Sequence, residues 1–179
     1  MTVSDHHNPT GFDFVARPDA QILILGSMPG IESIRQQQYY AHPRNSFWDL
    51  MGEMFAAGKE APYPSRLLRL QQQHIALWDV ASQCERSGSL DRNIRAGSTV
   101  PNNFTLFFAN HPDIKAIFFN GQKAAQIYRR LVLPTLSPAV QALPLHTLPS
   151  TSPAHASLSR EMKLKQWLKV REVAATLSR

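Results

Sequence analysis

The 179-residue chain has a single cysteine, Cys84. One thiol cannot close an internal disulfide, and it excludes the Cys-clustered zinc and iron–sulfur sites. The seven histidines show no H-E-x-x-H spacing, which argues against a metal enzyme. Long hydrophobic runs are missing too. The longest aliphatic one is "ILIL", far short of a membrane span. The opening "MTVSDHHNPTG" lacks the charged-then-apolar layout of a secretion signal, so a reducing cytoplasm is the expected setting. There is no G-x-S-x-G elbow for a serine hydrolase, no Walker lysine, no complete dinucleotide glycine spacing and no obvious carboxylate pair of the kind used on sugars. Repeats and low-complexity segments are absent.

Acidic residues are scarce over most of the chain. Residues 61–179 carry 15 Lys/Arg against 6 Asp/Glu, a net of +9, whereas residues 1–60 carry 4 against 7, a net of −3. A basic excess confined to one part of a chain suits a polyanionic partner, nucleic acid being the commonest. Generic solubility charge remains the other reading.

What is present is enough apolar matter, 43% of residues, for one domain with a proper core. Its body spans residues 20–176, preceded by an N-terminal extension over 1–19. "AQILILGSMPG" reads as a buried strand running into a Gly/Pro turn. Phe47, Leu50, Met51, Met54 and Phe55 recur at helical spacing, and "YPSRLLRLQQQH" makes a second short helix. "PNNFTLFFANHP" is a helix with Asn in its N-cap region, stopped by Pro112. "QKAAQIYRRLVL" is a helix ended by Pro134, and Trp167, Val170, Ala174 and Leu177 stripe the last helix. Strands fall near 21–26, 75–80, 115–120 and 143–149. This alternation predicts an α/β fold, a three-layer α/β/α sandwich around a four-stranded, mainly parallel sheet.

Ligands bind such sheets at the carboxyl ends of the strands. Those ends read "GSMPG", "LWDVASQCERSGS", "FFNG" and "LPSTSPA", all rich in small and polar residues. The glycines of "GSMPG" allow close approach of backbone to a ligand, or simply make a βα turn. Asn45 opens a helix and is an N-cap or a water-orienting amide, with His42 and Arg44 beside it. The hydroxyls of "PSTSPA" cap a turn or meet phosphate. Asp79 ends a strictly apolar strand, where a carboxylate is costly unless bonded.

Taken together, "GSMPG", then "YYAHPRNSFW" over Tyr39–Trp48, then "PSTSPA" before a helix, resemble the motifs of the uracil-DNA glycosylase superfamily over roughly residues 20–176. The uracil and mismatch branches carry an Asp or Asn at the third position of motif one, where it positions the attacking water. Here that position is Met28, which can neither polarise nor orient water. The chain is more similar to the hypoxanthine-DNA glycosylase branch, with its G-S-M-P and Y-Y-x-x-P-x-N-x-F-W motifs, where the Asn of the aromatic segment takes the catalytic role; that residue is Asn45.

The resemblance implies a cofactor-free monofunctional glycosylase that flips a deaminated base, deoxyinosine first, out of double-stranded DNA, acting in base excision repair as a monomer. The implied base pocket is Gly26, Ser27, Met28, Pro29, Gly30, Tyr40, Phe47, Asp79 and Asn120. His42, Arg44, Ser150, Thr151, Ser152, Pro153, His155, Arg160 and Lys163 are the expected DNA contacts, residues 155–158 filling the gap left by the flipped base. Asp79, at the end of the second strand, would read the ring N–H of the base or else cap a local turn. A mismatch-type uracil or thymine glycosylase and an inactive damage-binding module are the alternatives.

Overall fold

Branched and aromatic runs that bury every side chain set the order of the fold. In chain order the elements are β1 (Ile22–Gly26), α1 (Ile31–Gln36), α2 (Phe47–Phe55), α3 (Tyr63–Gln72), β2 (Ile75–Asp79), β3 (Ala81–Gln83), β4 (Val100–Pro101), α4 (Phe104–Asn110), β5 (Ala116–Asn120), α5 (Gln122–Ile127), α6 (Pro138–Gln141), β6 (Leu145–Leu148) and α7 (Arg160–Leu177). The computed structural model describes residues 10–179; residues 1–9, the start of the expected N-terminal extension, lie outside them.

The main sheet runs β2-β1-β5-β6, and all three pairings are parallel. β1, β2 and β5 are buried at every position, as parallel strands covered on both faces must be. Leu23, Leu25, Trp78, Ile117 and Phe119 point to one face, where Phe104 and Phe107 of α4 and Ala124 of α5 meet them. Ile22, Ile24, Leu77 and Phe118 point to the other, against Phe47 and Trp48 of α2, Leu70 of α3 and Trp167 of α7. The three-layer sandwich expected from the alternation is therefore the architecture, with all four strands close to their expected positions. Among the described residues no helix is long and apolar enough to cross a membrane.

Asn103 caps α4 as expected, its Oδ1 accepting from the Leu106 N–H at 3.1 Å. The helix expected to run unbroken to Pro134 instead widens to a π turn over Tyr128–Val132 and closes in a tight turn, Leu133–Thr135. Pro134 falls near the start of that new turn, where its missing N–H costs nothing. The short α1, the antiparallel β3–β4 ribbon and the segment between its strands carry no clear periodicity and were not foreseen.

Residues 10–19 lie on the sheet. Val15 and Leu77 exchange two backbone hydrogen bonds of 2.9 Å, and the Gly11 N–H donates to Ser82 O at 2.7 Å. This part of the extension thus covers the outer side of β2, an edge that would otherwise offer unpaired backbone groups.

Trp167 joins layers that are far apart in sequence. It is fully buried, lies edge-on to Phe47 at 5.9 Å, and donates its indole N–H to Pro149 O at 2.9 Å. Trp167→Ala is expected to cost about 3–5 kcal/mol of stability, read from urea unfolding. A loss below about 1 kcal/mol would contradict this account of how α7 is held.

Candidate active site

The carboxyl ends of β1, β2, β5 and β6 open on one cleft of about 1030 Å³. Its floor is the end of β1. A Cβ at Gly26 would lie 2.4 Å from Asp79 Oδ1 and 3.1 Å from the Tyr40 hydroxyl, so glycine is what lets both side chains converge there. Asp79 is 3% exposed, and its Oδ2 has no hydrogen-bond partner. Burial, and then the charge of Asp91, push its carboxyl up to about 7, while Arg86 opposes them. The Asp79 carboxylate makes no hydrogen bond to a local turn; it is the Asp79 backbone carbonyl that is tied down, accepting from the side-chain amide Nδ2 of Asn102 at 2.8 Å.

The aromatic segment is fixed by its own side chains. The Tyr39 N–H donates to the Tyr63 hydroxyl at 2.9 Å, and the Trp48 indole donates to the Tyr39 carbonyl at 2.8 Å. Tyr40 then takes a left-handed backbone (φ 55), rare for a non-glycine residue, and lays its ring on Phe47 at 4.0 Å and 26°. Phe47, expected against the base, therefore lies one layer deeper: it is fully buried and supports Tyr40 from below. Burial first, and the charge of Asp79 second, hold the Tyr40 phenol well above its usual range, so it stays protonated.

Asn45 lines the cleft, one residue ahead of the Ser46 N-cap of α2. Its Oδ1 accepts from the Phe47 N–H at 3.0 Å, which fixes the amide plane. The N-cap reading of Asn45 is thus corrected by one residue, to Ser46, although one Asn45 lone pair still serves the first turn; the second lone pair and the Nδ2 group make no bond among the described residues. His42 and Arg44 stand on the same rim, joined by a 3.1 Å bond from the Arg44 N–H to His42 Nδ1. Met28 is buried in the core on the α4–α5 side of the sheet and also touches the cleft.

Motif two is tied down by Thr151. The Thr151 N–H donates to Asn120 Oδ1 and Asn120 Nδ2 donates to Thr151 Oγ1, both at 2.9 Å, while the Ser46 N–H donates to the Thr151 carbonyl at 3.0 Å. Gly121 makes room for this junction. It has φ +95, and a Cβ there would lie 3.1 Å from Ser150 Cβ. Ser150 and Ser152 hydroxyls accept from the N–H groups of Ser152 and Ala154 at 3.2 Å each, the capped turn weighed for "PSTSPA".

Two expected phosphate contacts are corrected by these positions. Thr151 is 1% exposed and spends its polar groups inside. Lys163 is buried with its Nζ 3.4 Å from Ser152 O, because its stem closes the core beneath motif two, and this burial lowers its pKa. Arg160 stands off the cleft, paired with Glu53 at 3.4 Å. Ser150, Ser152, Pro153 and His155 do line the cleft, as do Ser27, Pro29 and Gly30.

The wall opposite motif two comes from the segment after β3, of which only the start, up to Ser89, stood out in the sequence. Ser89 and Asp91 line it, with Arg92. The Ser27 hydroxyl donates to Asp91 Oδ1 at 2.6 Å, and the Ile31 N–H donates to Ser89 Oγ at 2.8 Å. Buried Arg86 holds this wall to motif one, donating to Gly88 O at 2.9 Å and to Pro29 O. A polar residue followed by "SGS" was the only hint. Among the described residues no three His, Cys, Asp or Glu side chains gather as a metal site.

Comparison with known proteins agrees with this geometry. The family model for the uracil DNA glycosylase superfamily matches residues 12–174. A protein of Methanosarcina barkeri named hypoxanthine DNA glycosylase is 38% identical over 117 residues, covering 65% of this chain and 73% of that protein. Its namesake from Methanosarcina acetivorans is 38% identical over 138 residues, covering 72% and 86%. The solution NMR structure of a candidate uracil DNA glycosylase from Methanosarcina acetivorans superposes with a TM-score of 0.77 at 33% identity, covering 94% of this chain and 99% of that one. The chain belongs to the uracil-DNA glycosylase superfamily.

Proposed function

We propose that this protein is a monofunctional DNA glycosylase that hydrolyses the N-glycosidic bond of deaminated bases in double-stranded DNA, hypoxanthine first, as the opening step of base excision repair. It works as a cytoplasmic monomer without a cofactor. The observation that carries this reading is the meeting of "GSMPG", Asn45 and motif two around one cleft whose floor holds a buried, unpartnered carboxylate. Two relatives named hypoxanthine DNA glycosylase support the choice of base. A uracil or thymine substrate is the second reading, supported by the solved relative described as a candidate uracil DNA glycosylase. Side-by-side cleavage of duplexes carrying deoxyinosine, deoxyuridine and a G·T mismatch, with alkali to reveal abasic sites, separates them and also tests for an inactive binding module.

In this reading a nucleotide flips into the cleft and its base rests over the β1 end. Asn45, with Met28 unable to help, places the attacking water through its remaining lone pair and its Nδ2 group. Bond cleavage builds oxocarbenium character on the sugar and negative charge on the base, so a neutral amide that only orients water suffices when the leaving base is held well. Ionised Asp79 accepts the ring N–H of the base; adenine offers a bare nitrogen there and is refused.

Asn45→Ala is expected to slow single-turnover base release by ~10²–10⁴ while duplex binding stays near normal. Release at wild-type speed would remove Asn45 from the mechanism. The acid dependence has a definite sign. Since the ionised carboxylate is the reading form and its pKa is raised to about 7, release from deoxyinosine should climb as pH passes upward through about 7. Asp79→Asn should be slower, lose that limb and discriminate less against adenine. A flat profile for wild type, or an unchanged limb in the variant, would make Asp79 structural. Binding should also weaken with salt, by roughly 0.9 in log Kd per log unit of salt for each phosphate neutralised; Arg44 and Lys123, which line the cleft, are the first candidates.

A further inference from the structure

We propose that the Tyr40 hydroxyl and the Asp79 carboxylate read the base together, Asp79 accepting the ring N–H and Tyr40 donating to the carbonyl beside it, so that the site selects the lactam edge as a chemical class. This rests on the glycosylase reading above. It adds a second base-contacting group.

The floor of the cleft leaves few polar groups free. The Asn120 amide gives one N–H and one lone pair to Thr151, and the Ser27 hydroxyl donates to Asp91. The Tyr40 hydroxyl and Asp79 Oδ2 are both buried, and neither meets a partner at full hydrogen-bond geometry; the Asn120 amide beside the hydroxyl can only donate to its oxygen, so the Tyr40 O–H itself stays free to donate. An orphaned buried donor and an orphaned buried acceptor each carry a desolvation cost that a ligand could relieve. The two side chains converge on one point, since a Cβ at Gly26 would collide with Asp79 Oδ1 and press on the Tyr40 hydroxyl. Tyr40 reaches it only through a left-handed backbone and a stack on Phe47, a placement of the kind that surrounding structure must enforce.

A donor beside an acceptor matches an N–H next to a carbonyl. Hypoxanthine, xanthine and uracil all present that edge, as do the normal bases guanine and thymine, so the pair separates oxo bases from amino bases and does not by itself separate damaged from normal ones. Adenine and cytosine present the reverse, an amino group next to a bare ring nitrogen, and would set that nitrogen's lone pair against the carboxylate. The tyrosine also has a part in bond breaking. As water oxygen bonds to C1′ and the C1′–N bond breaks, its electron pair passes to the base and spreads onto the carbonyl oxygen. The hydrogen bond from Tyr40 to that oxygen strengthens as the charge develops, while the phenol keeps its proton. The proton lost by the water goes to solvent.

Tyr40→Phe removes only the hydroxyl and keeps the ring on Phe47. Its single-turnover release from deoxyinosine is expected to fall about 10²-fold, the size typical for loss of one such donor. Binding to duplexes with uncleavable 2′-fluoro nucleotides gives a second readout. The variant should lose affinity for the hypoxanthine duplex and keep it for a duplex carrying unsubstituted purine, which has no carbonyl. Its melting temperature should not drop, because an unpartnered hydroxyl has been removed. Release at wild-type speed, or an equal loss of affinity for both duplexes, would overturn the pairing while leaving the glycosylase reading intact. A wild-type protein that releases no hypoxanthine would instead remove the glycosylase reading and this inference with it.

Discussion

Thr151 gives all its polar groups to the protein, and the site hangs on that. Its N–H and hydroxyl close a two-bond ring with the Asn120 amide at the end of β5, and its carbonyl takes the N–H of Ser46, 105 residues away. Three loops that the sheet merely brings to one edge are thereby fixed to one another. Without this junction, motif two and the aromatic segment would be two surface turns of independent conformation. With it, Asn45 stands at a set distance from the floor built by β1 and β2. Trp167 and Lys163 repeat the same work from below, one donating to Pro149 O and the other to Ser152 O.

The second constraint is electrostatic. A carboxylate at the end of a fully buried strand loses hydration that the protein does not replace. Asp79 is held between the charge of Asp91, which disfavours its ionisation, and that of Arg86, which favours it, so it titrates near neutrality. Its folded pKa lies above the unfolded value of 3.8, so the folded state holds the proton more tightly. The fold is therefore weakened as pH rises from about 4 to about 7, the opposite of a salt-bridged carboxylate. A group that works against stability and faces a cleft is more readily understood as serving a ligand than the fold. Arg86 has a double part here, since the same guanidinium also fastens the wall after β3 to Pro29.

Where the sequence carried strong periodicity it was legible. Three of the four strands announced themselves as short apolar runs ending in Gly, Asp or Asn, the fourth by its position before the polar turn "PSTSPA", and α2 and α7 by their stripes. Asn45 and Asp79 stood out as polar residues at the ends of apolar segments. The wall beyond Ser89 did not, because its order comes from long-range bonds such as Ser27 to Asp91, which leave no local pattern. Lys163 misled for a related reason. Charge can be counted along a chain, but whether a lysine points to solvent or under a turn depends on what packs beside it.

By itself, then, the sequence determined the α/β/α layering, the edge of the sheet that holds the site, and the superfamily resemblance. Hydrophobic period and the positions of turn residues are local properties, and parallel strands force their loops to a common end. Only the tertiary structure decided which polar groups stay free within that edge. It turned Phe47 and Thr151 inward, committed Asn120, and left Asp79 and the Tyr40 hydroxyl without partners above Gly26. The physical reason is that hydrogen-bond satisfaction is settled pairwise in space, between residues as distant as Ser46 and Thr151, and no spacing along the chain records it.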